Sequence, residues 1–245
     1  ADADSLVATM LQYRVDGIVL GAVSLSSALA QRCTDASIPV VLFNRILARR
    51  RGQAAVGSVR GDNARGGRLL AEHLIAQGHR RIAFIAGRED SSTNLERERG
   101  FMKALERHPQ RLFARALGNY DRDQAAQATR ALFRSRRNRP DAVFAASDHM
   151  ALAVMDTLRV ELGLRVPDDV SVVGFDDVPQ ADWHAYKLTT FAQPVGRMVQ
   201  ATVALLLGQL RSAALAPRNL IIAGELVVRA STRDRRCETG STHSI

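Results

Sequence analysis

The sequence predicts an α/β fold of mostly parallel sheets with helices on both faces. Three observations carry that expectation. Short apolar, β-branched runs alternate with amphipathic helical stretches along nearly the whole chain. The turns between them are short, and repeated βα units of this kind build parallel sheets. No long linker, low-complexity tract or short repeat interrupts them. The 245 residues, 46% hydrophobic, therefore suit one large lobe or two small ones around a real core.

The first strand is residues 15–20 (VDGIVL), and a helix near 26–33 leads to a second strand at 38–43. A third spans 56–59. Asp62 or Asn63 can then cap a helix running to Gln77, because a short polar side chain accepts one of the free first-turn amides. Leu69, Leu70, Leu74 and Ile75 share one face of that helix, and Gly78 ends it in the left-handed position. Residues 82–86 form a strand ending at Gly87, and 95–107 a helix. A weak strand at 112–117 precedes a helix at 123–133. Strand 142–146 (AVFAA) feeds a helix at 148–161 that stops at Gly163. A further strand starts at Val170 and stops at Gly174, followed by strand 188–191 and a helix at 195–210. Strands 219–222 and 225–229 close the fold, and the polar residues 235–245 are expected to fray.

Composition narrows the function. No apolar stretch approaches the roughly 20 residues needed to span a bilayer, and the N-terminus lacks the basic-then-apolar layout of a signal peptide. Cys33 and Cys237 lie far apart in no metal or redox spacing, which points to reduced thiols and a cytoplasmic setting. The net charge of +9 invites a nucleic-acid reading. However, of the 34 basic residues only Lys103 and Lys187 are lysine, a skew that reads as composition bias. The arginine clusters at 49–51 and 134–139 fall in loops or at a helix C-terminus and read as solvated surface.

Catalytic constellations are absent: the chain has no GxGxxG opening a helix, no GxxxxGK[ST], no GxSxG, no HExxH and no paired CxxC. Asp148, Asp176 and Asp177 could in principle hold magnesium, but nothing supplies the accompanying phosphate cradle. The expectation is a binder with no metal or cofactor, rather than an enzyme.

Ligands of open parallel sheets bind at the carboxyl ends of strands, and the segment 170–194, VSVVGFDDVPQADWHAYKLTTFAQP, delivers Asp176 and Asp177 there. One of the pair can cap the next turn and leave the other facing a ligand, since carboxylates accept hydroxyl hydrogen bonds. Ser147 and Asp148 hold the same place after AVFAA, as caps or as contacts. Arg97 lies near a helix start, where a cation does not serve the dipole. It is expected to reach a carboxylate such as Asp176 or a ligand, against the alternative of a solvated run with Glu98 and Arg99. Thr93 lies one turn earlier, and Asn44 ends another strand with both donor and acceptor. His79 reads as a capping cation or packing residue. Trp183 could wall a cleft or lie in the core.

Read together, VDGIVL, IPVVLFNR, GGRLLAEHLIAQGHRRIAFIAG, ERERGFMKAL, DAVFAASDHMALAVM, VPDDVSVVGFDD, LTTFAQP and ELVVRAST resemble, in order, the lac-repressor (LacI/GalR) family. The resemblance implies a two-lobed fold of the type I periplasmic-binding-protein kind. Residues 1–61 plus 192–216 would form an N-terminal lobe, and 62–191 plus 217–234 a C-terminal lobe. It implies a small effector in an interlobe cleft, a sugar or related polyol ahead of a purine. On the same ground Arg97 is the effector-contacting arginine, Asp176 the hydroxyl-binding aspartate and Thr93 a polar contact, while Asn44 and Ser147 match variable positions. The family acts as a homodimer and reads operator DNA through an N-terminal helix-turn-helix. That head, and the first βα unit of the sheet, do not occur in this sequence, which implies a fragment. A periplasmic sugar-binding protein of the same fold is the alternative, and an enzyme using the acidic cluster is the more distant one.

Overall fold

The computed structural model describes residues 9, 13, 15–21, 26–46, 56–108, 111–212 and 217–233. The 49–51 arginines, Cys237 and the 235–245 tail lie outside them. The chain divides into two compact units, residues 1–62 with 194–223 and residues 63–193 with 224–245, so that it passes from one to the other three times.

The first unit holds a four-stranded, all-parallel sheet in the order β1-β2-β3-β9. Its strands are β1 (Ile18–Gly21), β2 (Val40–Phe43), β3 (Gly57–Gly61) and β9 (Asn219–Ile222). Helix α1 (Ser27–Asp35) is capped by Ser26, whose hydroxyl accepts from Leu29 N at 3.1 Å. It buries Leu29, Ala30 and Cys33 with Ile18, Leu20, Val40 and Leu42. On a second cluster, Met198 of α6 (Val195–Arg211) packs with Val41 and Val59. Strand β9 corrects one expectation. The sequence reading assigned residues 217–222 to the second lobe, but Ser58–Gly61 pair in parallel with Asn219–Ile222. Nothing local in NLII says which sheet edge will accept it.

The second unit is the larger. Its six-stranded sheet has the order β10-β8-β7-β6-β4-β5, parallel except for the antiparallel pair β10–β8. The strands are β4 (Arg81–Ala86), β5 (Arg111–Leu117), β6 (Ala142–Ala145), β7 (Ser171–Asp176), β8 (Thr189–Ala192) and β10 (Glu225–Val227). The central strands are covered on both faces, which is why they read as continuous apolar runs and not as alternating ones. The helices are α2 (Asn63–Ala76), α3 (Ser92–Glu106), α4 (Arg122–Leu132) and α5 (Asp148–Asp156), the last widening into a π-helical turn over Thr157–Glu161. Phe84, Phe101 and Phe144 meet with ring centroids 5.1–5.5 Å apart at the centre of the core. Each such buried ring contributes about 1.5–3 kcal/mol.

The exposed arginines support the solvated reading of the net charge. Arg88–Asp90, Arg130–Glu161 and Arg165–Asp169 are surface pairs of small energetic weight, and Arg134, Arg136 and Arg137 are exposed after α4. No helix among the described residues is long and apolar enough to cross a membrane.

Candidate functional site

Strand β7 does not stop at Gly174 as the sequence suggested; it runs on to Asp176. Glycine stands there because a Cβ would lie 2.2 Å from the Asp148 carboxylate, not because the strand turns. The turn comes two residues later. Asp176 (φ 125°) and Asp177 (φ 59°) both hold left-handed backbone, which costs a side-chain-bearing residue about 1–3 kcal/mol and concentrates at functional sites. Neither aspartate caps the following 3-10 turn, Pro179–Asp182, whose N-cap is Val178 with no side-chain bond. The capping alternative is thereby overturned. Asp177 is instead ion-paired with Arg229 at 2.8 Å.

Asp176 faces Arg97. Helix α3 begins at Ser92 behind a Ser91 cap, three residues earlier than expected, because a Ser-Ser-Thr run hides the apolar period while supplying the cap. Arg97 therefore sits in the second turn and not at the helix start, so the dipole argument does not apply to it. It is 3% exposed, and its guanidinium carbon lies 3.7 Å from the Phe175 ring centroid. Nε donates to Asn63 Oδ1 at 3.0 Å, Nη1 to the Ala146 carbonyl, and Nη2 to Asp176 Oδ1 at 3.0 Å. Gln193 Nε2 donates to the same carboxylate oxygen at 2.7 Å. The charge is thus neutralised and its donors engaged, which a buried guanidinium requires. Two glycines let α2 and α3 approach closely enough for this: a Cβ at Gly67 would lie 2.0 Å from the Arg97 carbonyl oxygen, and one at Gly100 would lie 1.9 Å from that of Ala64.

A hydroxyl cluster stands at the ends of β4 and β5. Thr93 Oγ1 lies 2.8 Å from Ser91 Oγ and 3.3 Å from the Tyr120 hydroxyl. The Tyr120 ring covers Gly87, where a Cβ would come within 2.2 Å of it. Asn119 and Tyr120 both adopt left-handed backbone, a second strained turn at the carboxyl end of a strand. Asn94 Oδ1 accepts from Gly87 N at 2.7 Å, while its Nδ2 is buried without a hydrogen-bond partner among the described residues.

Ser147 and Asp148 follow β6 as the sequence placed them. The Ser147 hydroxyl caps α5 by accepting from Met150 N, and keeps its own proton to donate. Asp148 is wholly buried, accepting from Thr190 Oγ1 at 2.6 Å and from Val178 N at 2.9 Å. Burial, reinforced by the nearby Asp176 charge, raises its carboxyl despite those bonds. Trp183 is 56% exposed, which excludes the core alternative. His79 is buried with Nδ1 3.3 Å from Asp141 Oδ1, a packing residue at the opposite ends of the strands. In the first unit, Asn44 ends β2 in left-handed backbone (φ 55°), and its Oδ1 is buried without a hydrogen-bond partner among the described residues.

The structure therefore brings Arg97 and Asp176 into direct contact and sets Thr93 in a separate hydroxyl cluster. Sequence reading missed Tyr120, Gln193 and Asn63. The signals were an aromatic directly after a strand (GNYD), the Gln before Pro194 and a helix-starting Asn. Each is ordinary by itself. Among the described residues no group of three His, Cys, Asp or Glu could hold a metal ion.

Comparison with known proteins places this arrangement. A family described as periplasmic binding protein-like domain matches residues 71–232. The HTH-type transcriptional regulator CelR of Thermobifida fusca is 35% identical over 221 residues, covering 89% of this chain and 63% of that protein. A LacI transcriptional regulator from a Rhodococcus species superposes with a TM-score of 0.83 at 30% identity, over 95% of this chain and 83% of that one. A CelR–cellobiose complex superposes with a TM-score of 0.84 at 34% identity, over 93% and 69%. The chain spans just under two thirds of the length of the curated relatives it matches. It belongs to the LacI family of transcriptional regulators and carries their periplasmic-binding-protein-like domain.

Proposed function

We propose that this chain is the effector-sensing domain of a LacI-type regulator and that its effector is a neutral polyhydroxylated molecule, a sugar or related polyol. The observation that carries the reading is the Arg97–Asp176 pair at the carboxyl ends of the second unit's strands. The pair leaves no net positive charge to attract a phosphate. What it leaves is mainly acceptor capacity: among the described residues, Arg97 and Gln193 both donate to Asp176 Oδ1, and Gln193 Oε1 is buried without a hydrogen-bond partner. Surplus acceptors call for a ligand rich in hydroxyl donors. The Thr93, Ser91 and Tyr120 hydroxyls can turn either way and suit the same chemistry, with the Tyr120 ring offering an apolar face. Ser147 completes the set in this unit, and in the first unit Asn44, whose amide oxygen is buried without a hydrogen-bond partner among the described residues, is a candidate polar contact of its own. Trp183 stays in the proposal as an exposed aromatic wall.

The relative solved with cellobiose supports a sugar, and the family supports a cytoplasmic homodimer that reads operator DNA in the whole regulator, without turnover of the ligand. Contacts made in only one conformation supply the differential affinity that such a switch needs. The test is a thermal-shift screen against monosaccharides, cellobiose and other disaccharides, phosphosugars and purines. A saturable shift with a neutral sugar, lost in Asp176→Asn, is expected. A shift confined to phosphosugars or purines would overturn the neutral-polyol reading.

A further inference from the structure

Asp148 lies directly beneath the turn that presents Asp176, yet it is wholly buried and touches no solvent. We propose that Asp148 is the positioning residue of the effector site: its carboxylate holds the strained turn after β7 in place, and protonation slackens that hold. The proposal deepens the effector reading above, since it concerns how Asp176 is presented.

The geometry is that of a clamp. Asp148 stands at the first turn of α5 and reaches two other elements. Oδ1 accepts from Thr190 Oγ1 of β8, and Oδ2 accepts from the Val178 amide. The Asp177 amide is a further backbone donor to the same carboxylate. Asp177 and Val178 directly follow Asp176, so the clamp grips the residues that set its direction. Gly174 clears the space, since a Cβ there would sit 2.2 Å from Oδ1. An ionised carboxylate only accepts, and so matches three donors; a protonated one turns one oxygen into a donor and leaves part of that set unanswered.

The surrounding charges tell which way the proton goes. Burial is the largest influence and raises the carboxyl, Asp176 raises it further, and Thr190 with the Val178 and Asp177 amides oppose both; the net position is about 6. Asp176 is the carboxylate that acts on it from the β7 side and is matched by Arg97, while Asp177 reaches it through its amide and carries its own cation, Arg229, on its carboxylate. From α4, Arg122 reaches only the far end of α5, at Asp156. Next to it in sequence, His149 is exposed. The clamp therefore changes charge in the weakly acidic range.

The test begins without any ligand. In nitrogen–proton spectra of the whole chain, the Asp177 and Val178 amides should titrate together with a midpoint of about 6. Their exchange protection, corrected for intrinsic rates, should rise about tenfold between the protonated and ionised forms. Asp148→Asn should flatten both. Thr190→Val, which removes one donor to the carboxylate, should move the midpoint upward and serves if Asp148→Asn does not fold. Amides that do not titrate, or that titrate unchanged in both variants, overturn the proposal. A second arm measures cellobiose affinity by calorimetry on either side of the transition. Several-fold tighter binding in the ionised form, lost in Asp148→Asn, is expected. Affinity that ignores the proton while the amides titrate overturns the positioning role. Absence of cellobiose binding in both forms counts against that sugar as effector, and the amide titration decides the proposal by itself.

Discussion

Arg97 lies against Phe175, its guanidinium carbon 3.7 Å from the ring centroid, so that the last apolar residue of β7 supports the cation which its neighbour Asp176 neutralises. One strand end supplies both the surface on which the arginine rests and the charge that holds it. A desolvated stacking of this kind is worth about 2 kcal/mol, and the pair beside it is costly to break from one side only.

Arg97→Ala should accordingly destabilise the chain by about 3–5 kcal/mol, because it strands Asp176, Asn63 and the Ala146 carbonyl at once. Arg97→Lys should recover only part of this, since an ammonium cannot serve three divergent acceptors or stack on the ring. Urea denaturation midpoints check both, and a loss below about 1 kcal/mol in the alanine variant would contradict the packing described.

Gly67→Ala and Gly100→Ala should each force α2 and α3 apart, since the new methyl would meet a carbonyl oxygen at 2.0 Å and 1.9 Å. Overpacking usually costs about 1–3 kcal/mol, and rigid backbone on the far side puts these two at the upper end or beyond. The displacement also moves Arg97, so effector affinity should fall with stability. Gly196→Ala, which meets nothing within 4 Å, is the matched control and should keep a wild-type melting temperature.

Tyr120→Phe separates function from folding. It removes a hydroxyl whose contact with Thr93 is 3.3 Å, worth about 1 kcal/mol or less to stability, and leaves the ring over Gly87 in place. Sugar affinity in calorimetry should drop severalfold while the melting temperature barely moves. Unchanged affinity would remove the hydroxyl cluster from the site.

Acid titration of stability should show opposing contributions. Asp148 has its folded value raised from 3.8 to about 6, so its contribution is complete below 3.8 and lost as pH rises through about 6, a difference of about 3 kcal/mol. His73 is held below its ordinary 6.5 by burial and then by His79. The folded chain therefore resists a proton that the unfolded chain takes up, and stability falls as pH drops below 6.5. Asp141, where burial raises the carboxyl but His79 and the Arg80 and Arg81 amides lower it more, sits below 3.8 and loses its contribution in strong acid. In denaturant titrations between neutrality and weak acid, Asp148→Asn should lose stability more steeply on acidification than wild type. His73→Gln should lose it less steeply, and the reverse order would contradict these assignments.

Much of this architecture is legible in the chain. The β7 aspartates and the strand–helix order follow from periodicity and caps, whereas Arg97 is pointed to by the resemblance of the RERGF run and not by its place in the helix, which lies a turn further in than the sequence suggests. Helix α3 shows the limit, since its first turn carries Ser, Thr and Asn in place of an apolar stripe and reads as loop until the Ser91 cap is seen. Gly174 misled for the opposite reason: a glycine mid-strand looks like a stop when the cause is a carboxylate packed against it.

Local pattern alone determined the kind and order of the elements, because helix period, strand run and cap are each settled within a few neighbouring residues. Only the tertiary structure decided which side chains meet. Arg97 finds Asp176 across 79 residues of sequence, Gln193 turns its amide to that same carboxylate, Tyr120 closes over Gly87, and β9 joins the first sheet. Those pairings depend on desolvation and on hydrogen bonds that become worth forming only once distant strands lie side by side, and no window of sequence contains that information.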